Sequence, residues 1–111
     1  MFSAEAEKKI DELLACYPQA RSAMLPILYI AQEEKGYLSD DVIEYVAGRM
    51  GLTYMDVLTT VSFYTMFYRR PIGQYNIQLC TNVSCWLCGS DDIERHIQRK
   101  LGIKVGQTTP D

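Results

Sequence analysis

Apolar residues recur at helical spacing through the first sixty positions of the chain. Ala6, Ile10, Leu13 and Leu14 fall at i, i+4, i+7 and i+8, which is one face of a helix. Ser3 offers a hydroxyl to the free N–H groups of its first turn, and Glu5 suits the positive end of its dipole. Tyr17-Pro18 ends it, because proline disfavours helical geometry in the residue before it. A second helix is predicted from about Gln19 to Lys35, with Ala23, Ile27, Leu28, Ile30 and Ala31 as its stripe. Pro26 removes a backbone donor inside that stretch, which predicts a kink or a late start near residues 21–24. Gly36 caps this helix. Ser39 is predicted to cap a third, with Asp40 and Asp41 in its first turn; Val42, Ile43, Val46, Ala47 and Met50 face inward and Gly51 stops it. Thr53 and Asp56 form a capping box that opens a fourth helix, whose face is Val57, Leu58 and Val61 with Phe63 or Tyr64. Four short helices with short loops predict a helical module over residues 1–70.

The period changes after Pro71-Ile72-Gly73. Tyr75, Ile77 and Leu79 alternate with Asn76, Gln78 and Cys80, which predicts a β-strand that delivers Cys80 at its C-terminal end. A last helix is predicted from about Ser90, with Asp91 and Asp92 in the first turn, and Ile93, Ile97 and Leu101 on one face. Arg99 and Lys100 suit its last turn, and Gly102 caps it. Ile103-Lys104-Val105 offers the start of another strand. The class read from this order is α+β.

Composition narrows the function. With 48% hydrophobic and 23% charged residues among 111, the chain is globular rather than disordered. A net charge of −3 argues against a nucleic-acid footprint. No secretory signal and no apolar run of membrane-spanning length is present, so a soluble intracellular protein without membrane insertion is expected. The carboxylate pairs Glu33-Glu34 and Asp40-Asp41 read as solvated or capping groups, not as acid–base catalysts. The aromatic run Phe63–Tyr68 reads as a core or module-joining patch, with a partner-binding surface as the sharper alternative.

In a reducing compartment clustered cysteines are metal ligands or redox groups more often than disulfides. Three of the four cysteines, Cys80, Cys85 and Cys88, sit between the predicted strand and the last helix; Cys16 reads as a small buried hydrophobe. Three chemistries compete. A [2Fe–2S] centre takes four thiolates, and Cys80 with Cys85 would serve one iron. Cys85-Trp86-Leu87-Cys88 is a C-x-x-C suited to thiol–disulfide exchange, but it leaves Cys80 without a role. Structural zinc would need Cys80, Cys85, Cys88 and a fourth ligand such as His96, whose polar neighbours instead mark it as solvated.

The order of motifs then resembles a known family. A helical module, Val61-Ser-Phe-Tyr-Thr-Met-Phe67, and Tyr75-Asn-Ile-Gln-Leu-Cys-Thr-Asn-Val-Ser-Cys-Trp-Leu-Cys-Gly-Ser90 look like the NuoE family. These are the thioredoxin-like [2Fe–2S] subunits of NADH:quinone oxidoreductase (complex I), with close relatives in NAD-linked hydrogenases and formate dehydrogenases. Gln32–Ser39 and Lys100–Gly106 extend the resemblance over essentially the whole chain. It implies a fold in which residues 1–70 form the helical module and residues 74–111 form the first, incomplete part of a thioredoxin-like ferredoxin domain. It implies an electron-transfer subunit of an NADH dehydrogenase-type complex, beside a partner subunit that holds FMN and oxidises NADH, cytoplasmic or peripheral on the inner membrane face. Cys80 and Cys85 match the family's first ligand pair, whereas Cys88 matches a position where other residues are tolerated. The family's second pair lies further along than Asp111, so half a cluster site is expected here. The rivals are a thioredoxin-like oxidoreductase using Cys85 and Cys88, and a metal-free docking module for a flavoprotein subunit.

Overall fold

Residues 24, 27, 28 and 31 make one continuous apolar stripe, and helix α2 (Met24–Lys35) forms around it. The computed structural model describes all residues from Met1 to Asp111, which divide into two units, Met1–Pro71 and Ile72–Asp111. In the first unit α2 packs against α1 (Ala4–Cys16) and α3 (Asp40–Met50), and α3 packs against α4 (Tyr54–Phe63). Ile27, Leu28, Ala31, Leu38, Ile43 and Val57 lose all contact with solvent. Each large aliphatic side chain buried this way contributes about 1.5–3 kcal/mol.

The helix ends follow their capping chemistry. The Ser3 hydroxyl accepts the Ala6 N–H at 3.2 Å. A 3₁₀ turn (Ala20–Ala23) precedes α2, so Pro26 sits in the first turn of a helix that begins late. There its missing N–H is one that no helical carbonyl would have accepted. Thr53 and Asp56 form the predicted box, with the Asp56 N–H donating to the Thr53 hydroxyl and the Thr53 N–H to the Asp56 carboxylate. Ser39 occupies the cap position of α3 but its hydroxyl makes no capping bond, and its backbone carbonyl starts the helix instead.

One expectation for an individual side chain fails, and another is decided between two candidates. Cys16 is exposed rather than buried. It lies six residues after Ile10, about 240° around the helix, and so points away from the face that Ile10 buries. Of the two aromatics offered for the α4 face, Phe63 is 77% exposed, while Tyr64 is partly buried and packs against the core. Phe67, beyond α4, is buried beside them, with Tyr29 at 5.3 Å and Tyr64 at 6.4 Å between ring centres.

The chain that leaves α4 is held by a side chain the sequence pattern did not single out. The Gln32 amide donates to the Met66 carbonyl at 3.0 Å, and its oxygen accepts the Tyr68 N–H at 2.7 Å. The Leu38 N–H bonds to the Tyr68 carbonyl at 2.7 Å, and Arg69 reaches the Leu38 carbonyl at 2.8 Å. Tyr54 and Arg69 both donate to one Asp40 oxygen, each at 2.6 Å.

The second unit contains α5 (Val83–Leu87) and α6 (Ser90–Leu101) and no strand. The predicted strand over Tyr75–Cys80 and the one suggested at Ile103–Val105 do not form. A strand is defined by a neighbour that takes its N–H and C=O groups, and no segment of these residues pairs with either. Their apolar residues stay exposed, Tyr75 at 83% and Ile77 at 61%. The α+β expectation is thus met in its helical part, while the sheet part has no counterpart among these residues. Ile103–Gln107 instead form a turn, with the Gln107 N–H on the Lys104 carbonyl at 3.1 Å. The predicted face of α6 exists, but Ile93 is 50% and Leu101 38% exposed. None of the helices is long and apolar enough to cross a membrane.

Replacing Gln32 by Leu leaves the Met66 carbonyl and the Tyr68 N–H without their partner. We expect a loss of about 1–3 kcal/mol in urea denaturation of the chain; an unchanged midpoint contradicts the clamp. Acid supplies a second test. Hydrogen bonds from Tyr54 and then Arg69 hold the Asp40 carboxyl below the ordinary aspartate range, and bonds from the Thr53 hydroxyl and N–H do the same for Asp56. A lowered folded-state value means stability that is present above the unfolded value and lost as pH falls through the folded one. The urea midpoint should therefore hold from neutral pH to about 4 and fall below it, and the combined Asp40→Asn and Asp56→Asn variant should show a shallower fall.

Candidate metal centre

Cys80 ends an extended stretch, and the chain turns sharply two residues later. Asn82 is the turning point. Its side-chain oxygen accepts the Val83 N–H at 2.8 Å and its carbonyl accepts the Trp86 N–H at 2.8 Å, which opens the short helix α5. This helix was absent from the expected layout, which ran the cysteine loop straight into α6. The signal for it was Asn82, a preferred cap residue directly before Val83-Ser84-Cys85. The turn brings Cys85 back toward Cys80. The Cys80 sulfur accepts the Asn82 backbone N–H and the thiol of Cys85.

That arrangement makes the two thiols unequal. The Asn82 N–H first, and then the Cys85 thiol, pull the Cys80 pKa below the ordinary thiol value, since both bonds favour the thiolate. Cys85 moves the other way: donating its proton to Cys80 and lying beside that charge both raise its pKa. Both residues are exposed.

Cys88 occupies a different place. It closes α5, with its N–H donating to the Ser84 carbonyl at 3.2 Å. Gly89 then adopts φ 99°, a left-handed conformation that favours glycine, and turns the chain into α6. The Trp86 indole N–H donates to the Asp91 carboxylate at 2.8 Å and ties α5 to α6. His96 is exposed on α6, and no three His, Cys, Asp or Glu side chains converge on a point that would hold a metal ion. Of the residues singled out from the sequence, Cys80 and Cys85 are the two whose thiols act on each other's pKa.

Residues 10–111 match the family described as thioredoxin-like [2Fe-2S] ferredoxin. The chain belongs to that family. Similar proteins include an E-type NADH-quinone oxidoreductase subunit of Rhizobium meliloti (strain 1021), 46% identical over 104 residues, covering 94% of this chain and 62% of the relative. The E-type NADH-quinone oxidoreductase subunit of Rickettsia prowazekii (strain Madrid E) is 48% identical over 104 residues, covering 91% of this chain and 59% of the relative. The protein of the same name from Rickettsia conorii (strain ATCC VR-613 / Malish 7) is 43% identical, covering 91% of this chain and 62% of its own length. The chain thus spans about three fifths of the length of these relatives.

The residues in hand suit part of a ferredoxin centre. Two soft sulfur donors are what one iron of a [2Fe–2S] centre takes from this part of the protein. The pairing also bears on the C-x-x-C reading, because the thiol that bonds to Cys85 is Cys80, outside that motif.

The tie from Trp86 to Asp91 can be tested with the chain's single tryptophan. Asp91→Ala should free the indole and cost about 0.5–1.5 kcal/mol of local stability. The expected readout is stronger quenching of Trp86 fluorescence by acrylamide; unaltered quenching contradicts the tie.

Proposed function

We propose that this ferredoxin-family chain is an electron-transfer subunit in which Cys80 and Cys85 ligate one iron of a [2Fe–2S] centre. Its place is beside a partner subunit that oxidises NADH on FMN in an NADH:quinone oxidoreductase-type complex, peripheral to the membrane. The observation that carries this reading is the Cys80–Cys85 thiol pair, lying inside the residues that match a family described by its [2Fe-2S] centre. The relatives named as subunits of NADH-quinone oxidoreductase support the assignment of the complex.

A [2Fe–2S] centre, when bound, takes up and gives on single electrons, the step needed between a two-electron hydride donor and a one-electron chain. The chain's own residues contribute position and electrostatics. Asn82 fixes the turn that makes the two sulfurs neighbours, and its backbone N–H already bonds to the Cys80 sulfur. Such a bond favours negative charge on sulfur and so raises the reduction potential of what the sulfur ligates. Cys88, held at the end of α5, stands outside the pair and serves as a bystander.

Ligand identity is tested in the assembled complex. Cys80→Ser and Cys85→Ser should each lose most of the iron at this centre and its charge-transfer absorption, while Cys88→Ser keeps both. Equal losses from Cys85→Ser and Cys88→Ser would overturn the assignment and favour a three-cysteine site.

A further inference from the structure

A groove of about 630 Å³ lies along α6 and the turn that follows it, and three cationic side chains line it: Arg95, Arg99 and Lys104. Clefts that take small ligands have volumes of this order. Arg95 and Arg99 are four residues apart, so they are neighbours on one face of α6. Gly102 then adopts φ 67°, a left-handed conformation, and turns the chain out of the helix. Lys104 is fixed in the turn beyond it. Its N–H donates to the Gln107 side-chain oxygen at 2.9 Å, and its carbonyl accepts the Gln107 N–H at 3.1 Å. Two elements thus bring their cations to one groove, with the half-buried Ile103 between them.

The charge of these cations is largely uncompensated. One carboxylate lines the groove, Asp92, at 3.6 Å from Arg95, and an exposed pair of that length contributes little. The Arg99 Nε donates to the Arg95 carbonyl at 3.4 Å, which leaves the two terminal nitrogens of its guanidinium for another partner. Neither Arg99 nor Lys104 has a carboxylate partner in the chain. The end of a helix gives cations in its last turn a structural reason to be there, and that accounts for Arg99 and Lys100. It does not account for Arg95, more than a turn earlier, or for Lys104, outside the helix. The same helix end carries roughly half a negative charge, which opposes an anion but is smaller than the three full cations facing the groove.

We infer that this groove binds the diphosphate group of a small soluble anion. Arg95 and Arg99 take one phosphate and Lys104 takes the other. A guanidinium offers paired N–H donors that match two phosphate oxygens, and an ammonium acts as a point charge, so the two arginines orient the group and the lysine adds charge. Two phosphates fit better than one because the cations come from two elements rather than from one point. The inference shares no residue with the iron-ligand reading and stands apart from it.

The test titrates the isotope-labelled 111-residue chain with inorganic pyrophosphate at low ionic strength and follows its amide NMR signals. Saturable shifts should gather on residues 95–104, and orthophosphate should bind less tightly. The combined Arg99→Gln and Lys104→Gln variant should bind about tenfold more weakly or worse. Lys8→Gln, which removes an exposed lysine paired with Glu12 on α1, should leave the affinity unchanged. Arg99→Lys keeps the charge that suits the helix end but loses the paired donors; it should weaken binding with helix content by circular dichroism unaltered. ADP carries the same group and separates its sources. Binding of ADP at least as tight as that of pyrophosphate supports a nucleotide, and weaker binding supports the inorganic anion. Shifts that do not saturate, or that spread equally over Lys8, Lys9 and Arg21, would overturn the inference. So would full affinity in the double variant or in Arg99→Lys, or binding to anionic phospholipid vesicles without binding to either soluble diphosphate.

Discussion

Helix α2 buries one face in the core of the first unit and turns one amide toward the chain that leaves it. Ile27, Leu28 and Ala31 are wholly excluded from water, and α1 and α3 pack on either side of them. Gln32, one residue past Ala31, occupies the edge of that stripe and satisfies a carbonyl and an N–H of the segment after α4. The same helix therefore fixes the hydrophobic centre and the path of the chain up to Arg69. A polar side chain at the edge of an apolar face costs little to place there, and two backbone groups that would otherwise be left without partners make it expensive to remove.

The second unit is held by other means. Its one buried residue is Ser90, and its order comes from local bonds: the Asn82 cap, the left-handed turn at Gly89, the Trp86–Asp91 bond and the Lys104–Gln107 turn. Such bonds act over a few residues, which is why they fix the spacing of Cys80 and Cys85 without needing a core. The apolar residues of the Tyr75–Leu79 stretch and of α6 have a pattern suited to packing that these residues do not provide.

This contrast explains what was legible in the sequence. Helices α1 to α4 could be read because period and capping agree: Ser3, Gly36, Gly51 and the Thr53–Asp56 box mark ends that the apolar stripes independently require. The strand over Tyr75–Cys80 was misread because alternation reports a suitable surface, not the presence of a partner. Helix α5 was missed because five residues are too few for a period, and only the cap Asn82 marks it. The iron-ligand candidates were legible as residue types, and the motif order pointed to the family. The turn that pairs Cys80 with Cys85, leaving Cys88 at a helix end, needed the backbone path. Gln32 was hidden because a glutamine inside a helical stretch carries no signal of its long-range partners.

What the chain does chemically depends on how two sulfurs are held. Asn82 opens the turn between them, bonds from its N–H and then from Cys85 lower the Cys80 pKa, and the neighbouring Cys80 raises that of Cys85. The most direct measurement is anomalous diffraction at the iron edge from the assembled, iron-loaded complex. The account predicts one iron within bonding distance of the Cys80 and Cys85 sulfurs, with Cys88 unligated. An iron bonded to Cys88 in place of either, or no iron beside this pair, would contradict it.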